Sequence, residues 1–137
     1  MALTQIYVNL PVTDLEASKK VYTAMGGTIN PEFTGDTSAQ VVFADAVVVQ
    51  LMTRETFASF TKRNTADGPI EVINALAAGS REEVDRLADA ALAAGASEPR
   101  DPQDMGWLYN RAIDDPDGHC WELLAYPGAA GDDTPTA

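Results

Sequence analysis

The residues best suited to chemistry crowd one stretch near the C-terminal end, Asp114-Asp115-Pro116-Asp117-Gly118-His119-Cys120-Trp121-Glu122, which holds the only histidine and the only cysteine of the chain. A strand leaving that turn alternates its side chains, so Cys120 and Glu122 share one face and His119 takes the other. A carboxylate on an apolar inner face must be paired, hydrogen-bonded or protonated, and such a group can be tuned toward general-base work. Glu122 is therefore the candidate catalytic residue; its alternative role is a structural hydrogen bond to Gln50 or to a tyrosine. Arg111, on the strand facing that hairpin partner, is placed to pair with Glu122 or with an anionic ligand, or else to form a surface ion pair. His119, pointing outward, is expected to serve the hairpin end, and Cys120 to be inert packing.

Tyr7, Asn9, Met52, Trp107 and Tyr109 complete the candidate pocket. Aromatic and thioether side chains make adaptable apolar walls for a small organic ligand, and the same residues are also ordinary core formers.

An order of elements that occurs twice must position these residues. From Gln5 to Val12, Ile6, Val8, Leu10 and Val12 alternate against Gln5, Tyr7, Asn9 and Pro11, the period of a strand. Thr13 and Glu16 read as a capping box for a helix whose face carries Leu15, Ser18, Tyr22 and Met25 and which Gly26-Gly27 stops. Three β-prone runs follow, Thr28 to Phe33, Gln40 to Phe43 and Ala46 to Met52; Val47-Val48-Val49-Gln50-Leu51, apolar on both faces, suits a central strand. The second half repeats this. A strand within residues 69–78 precedes the capping box Ser80-Arg81-Glu82-Glu83, a helix with Val84, Leu87, Ala88, Ala91 and Leu92 on one face, and the stop Gly95. Strands at residues 97–100, 106–113 and 119–125 follow, the last two joined by a hairpin turn at Asp115-Pro116-Asp117-Gly118.

The fold expected is α+β: two β-α-β-β-β modules whose sheets form a curved mixed sheet around a cup, with one helix per module packed outside. A single domain would span residues 1–126, with module one at about 5–53, a connector at 54–68 and module two at 69–126. The connector would form one short helix in which Phe57 and Phe60 serve packing. Residues 127–137, rich in Gly, Asp, Pro and Ala, form an expected disordered tail.

Composition narrows the function classes. Across 137 residues, 45% hydrophobic and 22% charged residues are ordinary for a globular chain, and the formal net charge of -12 repels phosphate backbones and anionic lipid. Nucleic acid and membranes are excluded as partners. One cysteine permits neither an intrachain disulfide nor a cysteine-based zinc site and favours a reducing compartment. With no apolar run near the roughly 18 residues a membrane span needs, the cytoplasm is the expected location.

Pro11-Val12-Thr13-Asp14-Leu15 with Tyr22, and the 114–119 turn leading into Trp121-Glu122-Leu123, resemble the vicinal oxygen chelate superfamily of glyoxalases, bleomycin-resistance proteins and extradiol dioxygenases. Val8-Asn9-Leu10-Pro11-Val12, Arg81-Glu82-Glu83-Val84 and the run from Glu98 to Asp104 resemble its glyoxalase-like, predicted lactoylglutathione lyase branch. The resemblance implies four metal-ligand positions, on the first and last strands of each module. Glu122 and Gln50 match two of them and are able to ligate; Tyr7 and Ile73 stand at the others, and neutral Tyr is a poor ligand while Ile is none. No tightly held metal or other cofactor is expected. A divalent ion held by Gln50, Glu122 and, through a two-residue slip of the strand, Glu71 is the alternative. The expected function is binding of a small organic molecule in the cup, and the resemblance to bleomycin-resistance proteins implies a homodimer. The alternative is a metal-dependent lyase of the lactoylglutathione type, or a dioxygenase, using Glu122 and Gln50.

Overall fold

Val47-Val48-Val49-Gln50-Leu51 lies at the interior of a sheet, as its two-sided apolar character requires. The computed structural model describes residues 3–61 and 71–127, and the chain divides into two compact units, Met1–Pro69 and Ile70–Ala137. The first contains β1 (Ile6–Val12), α1 (Leu15–Ala24), β2 (Thr28–Asn30), β3 (Ser38–Ala44), β4 (Val47–Thr53) and α2 (Arg54–Ala58). Its sheet runs β1-β4-β3-β2, with β1 parallel to β4 and the other pairs antiparallel. The second contains β5 (Ile73–Ala77), α3 (Arg81–Ala93), β6 (Gln103–Asp104), β7 (Tyr109–Asp114) and β8 (Cys120–Ala125). Its sheet has the matching order β5-β8-β7-β6, and β5 runs parallel to β8. The architecture is α+β, two four-stranded mixed sheets built to one plan.

Each sheet buries one face under its helix. Val21 and Tyr22 of α1 and its C-cap Met25 are buried, as are Val41, Val49 and Leu51 of β3 and β4, and the Tyr22 and Phe43 rings meet at 6.4 Å between centroids. Gly26, at φ 107°, ends α1 in a conformation an L side chain resists. Gly27 has a different duty: a Cβ there would stand 2.3 Å from Val41 Cγ1 and 3.0 Å from the Tyr22 carbonyl oxygen, so only glycine lets the chain pass. In the second unit Val84, Ala88 and Ala91 of α3 and Ile113, Trp121, Leu123 and Ala125 of the sheet are all buried. Full burial of each Val, Leu or Ile side chain contributes about 1.5–3 kcal/mol.

Local chemistry moved several expected boundaries. Asp14, not Thr13, caps α1, its carboxylate accepting from Ala17 N at 3.0 Å. The expected strand over 28–33 stops at Asn30, because Pro31 has no N–H to donate and a 3-10 turn, Pro31–Phe33, begins there with Asn30 as its cap. Of the strand expected at 97–100 only an antiparallel bridge between Ser97 and Asp114 forms. The strand expected from 106 begins at Tyr109, since Gly106 sits at φ 83° in a turn where its N–H donates to Asp104 Oδ1 at 3.0 Å. The Ser80 cap is present, accepting from Glu83 N at 3.1 Å, while the Glu83 carboxylate pairs with Arg86.

The hairpin turn forms as its residues dictate. Asp115 Oδ1 accepts from Asp117 N at 2.9 Å and His119 N at 2.8 Å, and Gly118 takes φ 85°. The connector's short helix is α2, capped by Thr53; connector residues 62–68 and tail residues 128–137 lie outside the described residues. No helix among the described residues is long and apolar enough to cross a membrane.

Candidate functional site

Strand alternation sends Val49 and Leu51 toward α1, so Val48, Gln50 and Met52 stand on the opposite face of the first sheet. Register places four amides in one row across all four strands there: Asn9 beside Gln50, Gln50 beside Gln40, and Gln40 beside Asn30. Asn30 Nδ2 donates to Gln40 Oε1 at 2.9 Å, and Gln40 Nε2 donates to Gln50 Oε1 at 3.3 Å. Thr34 holds the far end, its hydroxyl donating to Asn30 O at 2.8 Å and accepting from Gln40 N at 3.0 Å.

A cavity of about 510 Å³ opens over the near end of this row, within the roughly 300–1,000 Å³ of small-molecule sites. The sheet supplies Asn9, Ser38, Gln50 and Met52; α2 and the residues after it supply Thr56, Phe57, Phe60 and Thr61. Of the expected pocket residues, Asn9, Gln50 and Met52 are thus brought together. Tyr7 lies on the same face beside Val48, half exposed, its hydroxyl donating to Gln5 Oε1 at 3.3 Å. Gln40 and Asn30 are the residues that sequence reasoning missed, and Phe57 and Phe60 line the cavity where packing was expected.

Glu122 stands in the second unit on the face opposite α3, between Ala75 and Ala112. Its cation is Arg100, from the loop after α3: Nη2 lies 2.9 Å from Glu122 Oε2 and 3.1 Å from Asn110 Oδ1. Arg111 does not meet Glu122. The Ala112–Glu122 register turns Arg111 to the α3 face, where Nε and Nη2 fork onto Glu98 at 3.0 and 3.2 Å and Nη1 reaches Asp85 and Asp89 at 3.0 Å each. Those carboxylates, Glu98 foremost, raise the Arg111 pKa above the ordinary guanidinium value. Tyr109 faces α3 as well; its hydroxyl donates to Asp85 Oδ1 at 2.6 Å, and that bond, with burial, pushes its pKa up to about 12. Trp107 is exposed and stacked on Tyr126 with ring centroids 6.4 Å apart. Cys120 shares the Glu122 face, and burial, with Asp114 nearby, pushes its thiol pKa up.

The donors suit a divalent ion poorly. Among the described residues no group of three or more His, Cys, Asp and Glu side chains is arranged to hold one. The strand neighbours of Glu122 are alanines, its carboxylate already faces a guanidinium, and Gln50 Oε1 accepts from Gln40. Ile73 pairs with Cys120 rather than with Glu122, and Glu71 precedes β5, exposed.

Two sheets of identical strand order, each a β-α-β-β-β unit with its helix on one face, define the paired-module class to which the vicinal oxygen chelate proteins belong. The chain belongs to the glyoxalase/bleomycin resistance protein/dioxygenase superfamily, whose family model matches residues 4–123. A hypothetical protein from S. aureus is 28% identical, with a TM-score of 0.75 over 88% of this chain and 91% of that one. A glyoxalase-related enzyme from Fulvimarina pelagi, 23% identical, superposes with a TM-score of 0.78 over 91% of this chain and 90% of that one. A glyoxalase/bleomycin resistance protein/dioxygenase family enzyme from Burkholderia phytofirmans PsJN is 19% identical, with a TM-score of 0.71 over 86% and 94% of the two chains. The latter two likenesses speak to the fold alone. Comparison with curated proteins gives no match.

Proposed function

We propose that this chain binds a small organic molecule in the cavity of its first unit and does so without a tightly held metal or other cofactor. The observation that carries the reading is the cavity itself, about 510 Å³ and lined by Phe57 and Phe60 together with the amide-bearing Asn9 and Gln50. An apolar wall with a few fixed polar groups is the usual composition of a small-molecule site. The metal-free part is supported by the Arg100–Glu122 pair, because a guanidinium at 2.9 Å occupies the electrostatic place of a divalent cation and repels one. The rival metal-dependent lyase, with Gln50, Glu122 and Glu71 as ligands and Glu122 as the proton-transferring group, requires Glu122 to leave Arg100.

The reading includes a homodimer and a cytoplasmic location. Exposed Ile6 and Ile73 on the edge strands β1 and β5 support the first, and a single cysteine supports the second.

Thermal-shift screening of small aromatic compounds, repeated on Phe57→Ala, tests the binding. Compounds that raise Tm of the parent and fail to raise that of the variant support the reading, and a panel without any stabilising compound counts against it. Elemental analysis of protein purified without added metal tests the second part. A stoichiometric divalent ion, or metal-stimulated turnover of methylglyoxal with glutathione that Glu122→Ala abolishes, would establish the lyase instead.

A further inference from the structure

The amide row has a direction, and one backbone N–H sets it. The Glu32 N–H can only donate, and it donates to Asn30 Oδ1 at 3.1 Å. Asn30 must therefore turn its Nδ2 toward Gln40, whose Oε1 accepts; Gln40 then presents Nε2 to Gln50, whose Oε1 accepts in turn. Each amide is oriented by the one before it. The row ends at the cavity with Gln50 Nε2, which makes no hydrogen bond among the described residues.

We infer that the cavity selects an uncharged aromatic ligand bearing a carbonyl or equivalent acceptor, with Gln50 as its donor and Asn30 and Gln40 as positioning residues that fix which end of the Gln50 amide faces it. The inference rests on the binding reading above and adds the chemical class of the ligand. Phe57, Phe60 and Met52 supply apolar walls for a ring, and among the described residues no charged side chain lines the cavity. Against these described walls an anionic acceptor would leave water without a counter-charge, so they favour an uncharged one. A ligand offering only N–H would meet the Gln50 donor head-on and leave it unsatisfied.

Reversing the start of the row tests this. In Asn30→Asp the carboxylate still accepts from Glu32 N and remains a favoured cap, but it has no N–H for Gln40. Gln40 must then donate to Asp at position 30 and turn its Oε1 to Gln50, and Gln50 must turn its own Oε1 to the cavity. Acetophenone, aniline and benzoate serve as probes, with dissociation constants read from NMR shifts of the Asn9 and Gln50 side-chain amides. The parent is expected to bind acetophenone roughly five- to tenfold more tightly than aniline or benzoate, the ratio one hydrogen bond confers. Asn30→Asp should reverse the acetophenone-to-aniline order. Gln40→Leu, which cuts the row without adding charge, should bring the two probes to near parity.

An unchanged acetophenone preference in both variants, or a parent that prefers aniline or benzoate, overturns the inference and leaves small-molecule binding standing. If no probe moves the Asn9 and Gln50 resonances, the binding reading fails and the inference falls with it.

Discussion

Removing the Arg111 guanidinium distinguishes a structural charge from a ligand-binding one. Arg111 is 9% exposed, whereas its partners Glu98, Asp85 and Asp89 are 22%, 47% and 69% exposed. Pairs with the two solvated aspartates are worth at most about 0.5 kcal/mol each. The forked pair with Glu98 is shielded, and orphaning one member of a fully buried pair costs about 3–5 kcal/mol; residual solvation of Glu98 brings that to about 2–3 kcal/mol. Arg111→Met keeps the aliphatic packing and should lose about 3 kcal/mol in all, which at roughly 2–4 °C per kcal/mol is a fall in Tm of about 6–12 °C. Urea unfolding with an unchanged slope is the assay. Arg111→Lys, which keeps the charge and loses the fork, should fall about halfway. A loss below about 0.5 kcal/mol, the range of an ordinary surface change, would refute the reasoning. So would a variant of parental stability that no longer binds the ligands of the first-unit cavity, because Arg111 would then be a pocket residue.

Tyr109 predicts an alkaline limit. Its pKa is about 12 in the folded chain against 10.0 for the free group, so the stability it contributes is complete below about pH 10 and is lost as pH rises through about 12; Tyr109→Phe should flatten the urea midpoint across that window. Gly27→Ala would force a methyl group against Val41 Cγ1 and the Tyr22 carbonyl, and calorimetry should show a loss of about 1–3 kcal/mol. Arg100→Met strips Glu122 and the buried Asn110 of their common donor and should cost about 1–2 kcal/mol by chemical denaturation. Adding Glu122→Gln should recover part of that loss, since the orphaned charge goes with it; strict additivity of the two losses would show that the pair is not coupled.

The fold was legible because its signals are local. A cap, a glycine stop or an Asp-Pro-Asp-Gly turn acts within a few residues, so the Ser80 cap, the Gly26 stop and the 115–118 hairpin can be read one after another along the chain. The errors were also local in kind: Asp14 outcompeted Thr13 as a cap, and Pro31 cut a strand short. The spacing of Asp85 and Asp89, one helical turn apart on α3 and flanking buried Val84 and Ala88, was a usable sign that a cation on the sheet faces the helix.

What the sequence determined by itself is the kind and order of elements and, through alternation, which residues of one strand share a face. Only the tertiary structure decided which residues of different strands stand side by side, because register is fixed by pairing between distant segments and not by any one of them. The Ala112–Glu122 register sends Arg111 to α3, while Arg100, in a loop with no periodicity, takes Glu122. Asn9, Gln50, Gln40 and Asn30 look unrelated in the sequence and form a single row once β1, β4, β3 and β2 are aligned.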